Sequence, residues 1–79
     1  MMDKFPITVK KEDEVYHFDV VDYIHHAAEH CQFEVYQNGR LIASFEPDAQ
    51  DHLQVCKNNG NLDETLLYLV ADEIETYDW

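Results

Sequence analysis

The chain has 79 residues, of which 17 are Asp or Glu and five are Lys or Arg, so its formal net charge at pH 7 is -12. A chain of this length fits one domain, and we expect residues 1–79 to form a single compact unit. The negative charge disfavours nucleic acids and anionic membranes as partners, because both are bound through Lys and Arg, and it favours a basic protein surface instead.

The first predicted element is a β-hairpin over residues 5–21. Apolar and polar residues alternate in two runs that flank the charged stretch KKEDE, and the apolar positions are Phe5, Ile7 and Val9, then Tyr16, Phe18 and Val20. A period of two predicts half-buried strands. Pro6 suits an edge strand, where its missing N–H faces solvent.

A second hairpin is predicted over residues 31–46, around Asn38-Gly39. A two-residue turn there would pair Val35 with Ile42 and divide the apolar side chains between both faces of the sheet. A three-residue loop over 37–39, with Gly39 left-handed in a bulge, would pair Val35 with Leu41. We prefer the three-residue loop because it gathers the apolar side chains on one face, namely Phe33, Val35, Leu41, Ala43 and Phe45.

A short strand over residues 52–57 and a helix over residues 62–77 complete the predicted fold. Asn61, with Glu64 three residues later, has the spacing of a helix N-cap and its capping-box partner. The helix has an apolar stripe at three- and four-residue spacing, made by Leu62, Leu66, Leu69, Val70, Ile74 and Tyr77. We therefore predict an α+β fold, in which the C-terminal helix packs on one face of an antiparallel sheet of four to five strands. The order of the strands stays open.

Cys31 and Cys56 are predicted to be reduced and largely buried, because a disulfide framework usually has more cysteines and a secreted context. No apolar run approaches the roughly 20 residues of a spanning helix. The first residues also lack the pattern of a signal peptide. These observations predict a cytoplasmic protein.

The stretch YIHHAAEHC, residues 23–31, raises the question of a metal site. If it forms a helical turn, His26 and His30 share one face, and Cys31 could add the sulfur ligand that zinc accepts. The other interpretation is a polar connection between strands. Neither a nucleophile elbow nor a phosphate-binding glycine loop is present in the sequence, so we expect no catalysis and no further cofactor.

Two surfaces are predicted to contact partners. Asp72, Glu73 and Glu75 crowd the negative end of the helix dipole, with no Lys or Arg after Lys57. Such a violation of a local rule sometimes marks a binding surface. Tyr36 and Ile42 are expected on the outer face of the sheet, where an exposed apolar patch or an edge strand could pair two copies.

The leading hypothesis is therefore a small acidic, non-catalytic interaction protein, inhibitor-like toward a basic protein surface. The alternative is a small metal-binding protein that uses His26, His30 and Cys31.

Overall fold

The computed structural model describes residues 2–23, 31–50 and 52–76. In this part of the chain the elements are β1 (Met2–Lys11), β2 (Glu14–Tyr23), β3 (Phe33–Gln37), β4 (Arg40–Pro47), β5 (Leu53–Lys57) and α1 (Glu64–Glu75). The five strands form one sheet in the order β1-β2-β3-β4-β5, and every neighbouring pair is antiparallel. The predicted α+β fold, with an antiparallel sheet and a C-terminal helix packed against it, is confirmed.

The core lies between α1 and one face of the sheet, which we call the inner face. Val20 lies opposite Val35, and Ile7 lies opposite Phe18, so alternate apolar residues of neighbouring strands meet on this face. The buried core consists of Ile7, Val9, Phe18, Val20, Phe33, Val35, Ile42, Ala43, Phe45, Leu66, Val70, Ala71 and Ile74. The helix contacts both β1 and β5, the two outermost strands. The sheet must therefore curve around the helix.

The hairpin between β3 and β4 differs from the preferred prediction. Asn38 and Gly39 both have positive φ, at 54° and 78°, and form a two-residue turn in which Gln37 lies opposite Arg40. The predicted three-residue loop is therefore wrong. The register then shifts after Tyr36, so that Val35 lies opposite Ala43.

The extra residue in this β-bulge is Ile42, and it corrects a second prediction. Ile42 is 4% exposed and belongs to the core, so it is not on the outer face as predicted. A bulge places two successive residues opposite one, which lets Ile42 and Ala43 both reach the inner face. Phe33 and Phe45 are buried as predicted, whereas Leu41 lies opposite Tyr36 and is only half-buried.

Gly60 is held against the bulge. Its N–H donates to the Ile42 carbonyl at 2.7 Å, and a Cβ at this position would lie 3.0 Å from the Ile42 Cβ. A side chain at residue 60 would therefore push against a buried isoleucine in a well-packed core. The turn after β5 is close to β4 because this residue is glycine.

We expect Gly60→Ala to lower the free energy of unfolding by about 1–3 kcal/mol, as overpacking of a core does. Urea denaturation monitored by circular dichroism measures this change. Gly39→Asn is the matched control: Gly39 has φ +78° and open space around its Cβ position, and Asn tolerates this conformation. Equal stability of Gly60→Ala and the wild type would contradict the close approach.

The start of α1 also differs from the prediction. Asp63 is the N-cap, and its side chain accepts a hydrogen bond from the Leu66 N–H at 2.8 Å. The predicted cap, Asn61, has φ 54° and lies outside the helix. Asp63 also forms an ion pair with Lys11 at the end of β1. The Lys11 ammonium and the Leu66 N–H together lower the pKa of the Asp63 carboxyl.

The apolar stripe of the helix is confirmed where it is described. Leu66, Val70 and Ile74 are buried, together with Ala71. Leu62 and Leu69 are partly buried and pack against the core. Tyr77 lies outside the described residues.

The two cysteines form a disulfide, so the prediction of reduced thiols is wrong. Cys31, just before β3, is bonded to Cys56 in β5, with a Cα–Cα distance of 6.4 Å. The two residues are 25 positions apart in the sequence, and the folding of β4 back onto β3 and of β5 onto β4 brings them together. Cys31 is buried and Cys56 is exposed.

Reduction of this disulfide should destabilise the fold. Chain-entropy reasoning for a closed loop of this size gives a loss of about 3–4 kcal/mol in the free energy of unfolding. Urea denaturation with and without dithiothreitol measures it, and the Cys31→Ala, Cys56→Ala double variant should be insensitive to the reductant. An identical midpoint for the reduced and oxidised wild type would show that the bridge does not restrain the unfolded chain.

Candidate interaction surfaces

The acidic end of α1 was the first predicted surface, and the structure divides it. Glu75 turns toward β5, where its Oε2 accepts a hydrogen bond from the Leu53 N–H at 3.2 Å. Asp72 and Glu73 instead border a depression of about 380 Å³ next to β1. Residues two apart on a helix point in nearly opposite directions, which separates Glu73 from Glu75. The three carboxylates are therefore spread over two flanks of the helix.

These two flanks differ in their neighbouring charges. Lys10 of β1 lines the same depression as Asp72 and Glu73, so a cation of the chain itself lies on that side. On the β5 side, the described residues place no Lys or Arg in the lining of the adjoining groove. The one described cation of β5 is Lys57, at the end of the strand and outside the groove lining.

The outer face of the sheet was the second predicted surface, and there Tyr36 belongs to a hydrogen-bonded cluster. The hydroxyl groups of Tyr23 and Tyr36 both donate to Glu34 Oε1, each at 2.9 Å. Burial, followed by the Glu34 hydrogen bond, raises the pKa of Tyr36 from 10.0 to about 12. The Glu34 hydrogen bond is the main cause that raises the pKa of Tyr23. The cluster replaces the apolar patch that Tyr36 and Ile42 were predicted to form.

This cluster predicts a distinct tyrosine titration. Because the pKa of Tyr36 is raised in the folded protein, its contribution to stability is complete below pH 10.0 and is lost as the pH rises through about 12. In Glu34→Gln the pKa of Tyr23 should fall, because its hydrogen bond to the charged Glu34 carboxylate is the largest cause that raises it. The pKa of Tyr36 should stay raised because its burial persists.

Phenolate titration of ring-labelled tyrosine by NMR separates the individual residues. Glu14→Gln is the matched control, because Glu14 accepts a hydrogen bond from Tyr16 only among the described tyrosines. A Tyr36 that ionises near pH 10 in the wild type would contradict the cluster.

The sequence did not reveal a third feature, a groove of about 260 Å³ between α1 and β5. Two of its side chains are unusually exposed for apolar residues, Val55 at 44% and Tyr68 at 69%. Among the described residues, its lining consists of Phe45, Leu53, Gln54, Val55, Glu64, Leu67, Tyr68 and Ala71, of which Glu64 alone is charged. The position of Leu67 and Tyr68 beside the apolar stripe of α1 is the sequence signal that would have pointed to it.

The predicted metal ligands are not brought together in the described structure. His26 and His30 lie outside the described residues. Cys31 is part of the disulfide and has no thiolate to offer a metal. Across residues 2–23, 31–50 and 52–76, no group of three or more His, Cys, Asp or Glu side chains is arranged to hold a metal ion.

Comparison with known proteins adds no relative: neither a family model, nor a curated protein, nor a solved structure matches the chain. In residues 2–23, 31–50 and 52–76, no helix has the length and the apolar character needed to cross a bilayer. The fold and the surfaces define an acidic α+β chain with an apolar groove at one edge of its sheet.

Proposed function

We propose that this chain is a non-catalytic interaction protein that binds a basic surface of a partner protein and so acts like an inhibitor. The observation that carries the proposal is the charge of α1, which has four acidic residues, Glu64, Asp72, Glu73 and Glu75, and no Lys or Arg. Asp72, Glu73 and Glu75 lie in the last turn of α1, so without a partner they are repelled by the negative end of the helix dipole. A cationic partner surface would relieve this repulsion.

The remaining charges of the chain support the same partner. With a formal net charge of -12, the chain attracts basic surfaces over distances of about a Debye length, which speeds encounter. Complementary charge also excludes acidic competitors. On the same ground we propose that neither nucleic acid nor an anionic membrane is the partner and that no cofactor is needed.

The predicted cytoplasmic location followed from the lack of a membrane-spanning run and of a signal-peptide pattern, and two free thiols would have supported it. The bridge between Cys31 and Cys56 removes this support, because disulfides persist mainly in oxidising compartments. The proposed interaction is possible in a reducing or an oxidising compartment, because the acidic residues of α1 take no part in the disulfide.

The test is binding of the purified protein to an array of Lys- and Arg-rich peptides, with the best binder then measured by fluorescence anisotropy. We expect Asp72→Lys with Glu73→Lys to weaken binding about tenfold, through replacement of attraction by repulsion. Affinity should also fall as NaCl is raised from about 0.05 to 0.5 M. Glu75 is left unchanged because its carboxylate accepts the Leu53 N–H.

Glu12→Lys with Asp13→Lys is the matched control. It makes the same change in net charge at the exposed turn between β1 and β2, which lies near the N-cap of α1, at the other end of the helix from Asp72 and Glu73. If both double variants bind equally, only net charge matters and α1 is not the contact surface. Binding that does not respond to salt would refute the proposed recognition of basic proteins.

A further inference from the structure

We propose that the groove between α1 and β5 binds an extended basic segment of the partner, which adds to the sheet as a sixth strand. The inference rests on the proposed function and adds a second contact with the same partner, on the flank of α1 opposite to Asp72 and Glu73. Strand addition of this type takes its affinity from backbone hydrogen bonds and its specificity from side-chain pockets beside the edge.

The first observation is the orientation of the β5 backbone. The Leu53 N–H points to the Glu75 carboxylate, and Leu53 lies opposite Pro47, which has no N–H to donate. In an antiparallel ladder, inward- and outward-pointing residues alternate along the strand. Gln54 therefore pairs with β4, and the N–H and C=O of Val55 point out of the sheet.

The two edges of the sheet are not equally open to such addition. β1 is the opposite edge, and it has Pro6 and three lysines, Lys4, Lys10 and Lys11. Proline and lysine are typical features that protect an edge from further pairing. β5 has its one lysine, Lys57, and a bulge at Cys56 next to each other at its end, so residues 53–55 contain neither feature and include the apolar Val55. The edge with the apolar centre is thus the less protected one.

The groove supplies the pockets that an added strand needs. The Leu53 and Val55 side chains face α1 and line the groove together with Leu67 and Tyr68. In an added strand, the residue opposite Val55 would share this face. An apolar side chain at that position would bury Val55 and Tyr68, which are 44% and 69% exposed.

Charge selects the ligand. Glu64 lines the groove near the start of α1, and Glu75 lies beside Leu53 near the helix end. Glu64 and Glu75 are eleven residue steps apart along the helix, which at about 1.5 Å per step is about 16 Å. This equals about five residues of extended chain at 3.3 Å each. The ligand would therefore have two Lys or Arg residues about five positions apart, around an apolar centre.

A second copy of this chain is a poor occupant. Each copy has a formal net charge of -12, so pairing two β5 edges would bring like charges together. It would also bring the Glu64 and Glu75 side chains of both copies to one interface. The charge that repels a second copy attracts a basic segment.

The test uses a short fluorescein-labelled peptide in which valine and threonine alternate between two terminal lysine pairs. We expect the wild type to bind it in a salt-dependent manner. The same peptide with N-methylated backbone amides should bind at least about tenfold more weakly, because it cannot form the ladder hydrogen bonds. A version with glutamate in place of lysine should not bind.

Two variants locate the site. Val55→Pro removes the outward N–H and leaves the Gln54 pairing with β4 in place. Tyr68→Lys puts a positive charge, which repels the basic peptide, on an exposed helix position of the groove. Each variant should weaken peptide binding about tenfold. Val15→Lys is the matched control, since Val15 is 52% exposed and lies on β2, outside the groove; its affinity should equal that of the wild type.

The outcomes separate this inference from the proposed function. Equal binding of the peptide by Val55→Pro, Tyr68→Lys and the wild type overturns the groove, while the Asp72→Lys, Glu73→Lys result still judges the proposed function. A wild type that binds peptides of the basic array but not this peptide also overturns the groove, and a wild type that binds neither overturns both. A wild-type dimer in sedimentation that Val55→Pro dissolves would make a second copy the occupant. If Val55→Pro unfolds, Tyr68→Lys and the N-methylated peptide decide.

Discussion

A single helix of 12 residues has to cover the apolar face of a five-stranded sheet. Five strands at about 4.8 Å spacing are about 19 Å wide, whereas a helix with its side chains is about 10 Å across. Curvature brings both outer strands into contact with α1, but it does not cover them equally. Val35 in the central strand is fully buried, and Val55 at the edge is 44% exposed. The groove beside β5 is the part of the inner face that one helix leaves open.

Two β-bulges accompany this curvature. The first inserts Ile42 into β4, and the second, between Ser44 and Phe45, leaves Cys56 as the extra residue of β5. Bulges bend a strand and increase its twist, which is what a sheet needs to wrap around a helix. The second bulge also lies at the disulfide, so β5 is tied to the start of β3 where its ladder is irregular. The strand with the most exposed side chains is thus fixed by a covalent bond.

The strands and the helix could be predicted from the sequence, because they depend on the periodicity of apolar residues. The hairpin register and the helix N-cap could not, because in each case two neighbouring positions fit the local sequence rules equally well. Alternation identified all five strands, and the three- and four-residue spacing identified α1. The register around Asn38 was missed because two arrangements bury nearly the same side chains. A three-residue loop does so directly, and a two-residue turn does so when it is followed by a bulge at Ile42. Alternation of apolar and polar residues does not distinguish the two. Asn61 and Asp63 are both good N-cap residues, and the contacts that accompany the choice of Asp63, the Lys11 ion pair and the Asn58 hydrogen bonds to the Leu62 backbone, are tertiary or turn contacts that the sequence pattern does not show. The acidic helix end was treated as one surface although the helical period already separates Glu73 from Glu75, and the sequence does not show which flank faces β1 and which faces β5.

An exposed apolar edge strand is a hazard for any β protein, since it can pair with other copies. β1 meets this hazard through Pro6 and its lysines, but β5 has a valine at its centre and the apolar groove at its side. The acidic composition gives β5 a different protection, because two copies repel each other before their edges can pair. This protection acts only against acidic partners, whereas proline would block every strand. Charge can therefore keep the edge apart from its own copies and leave it open to a basic segment, which is the property that an interaction protein built on this sheet would need.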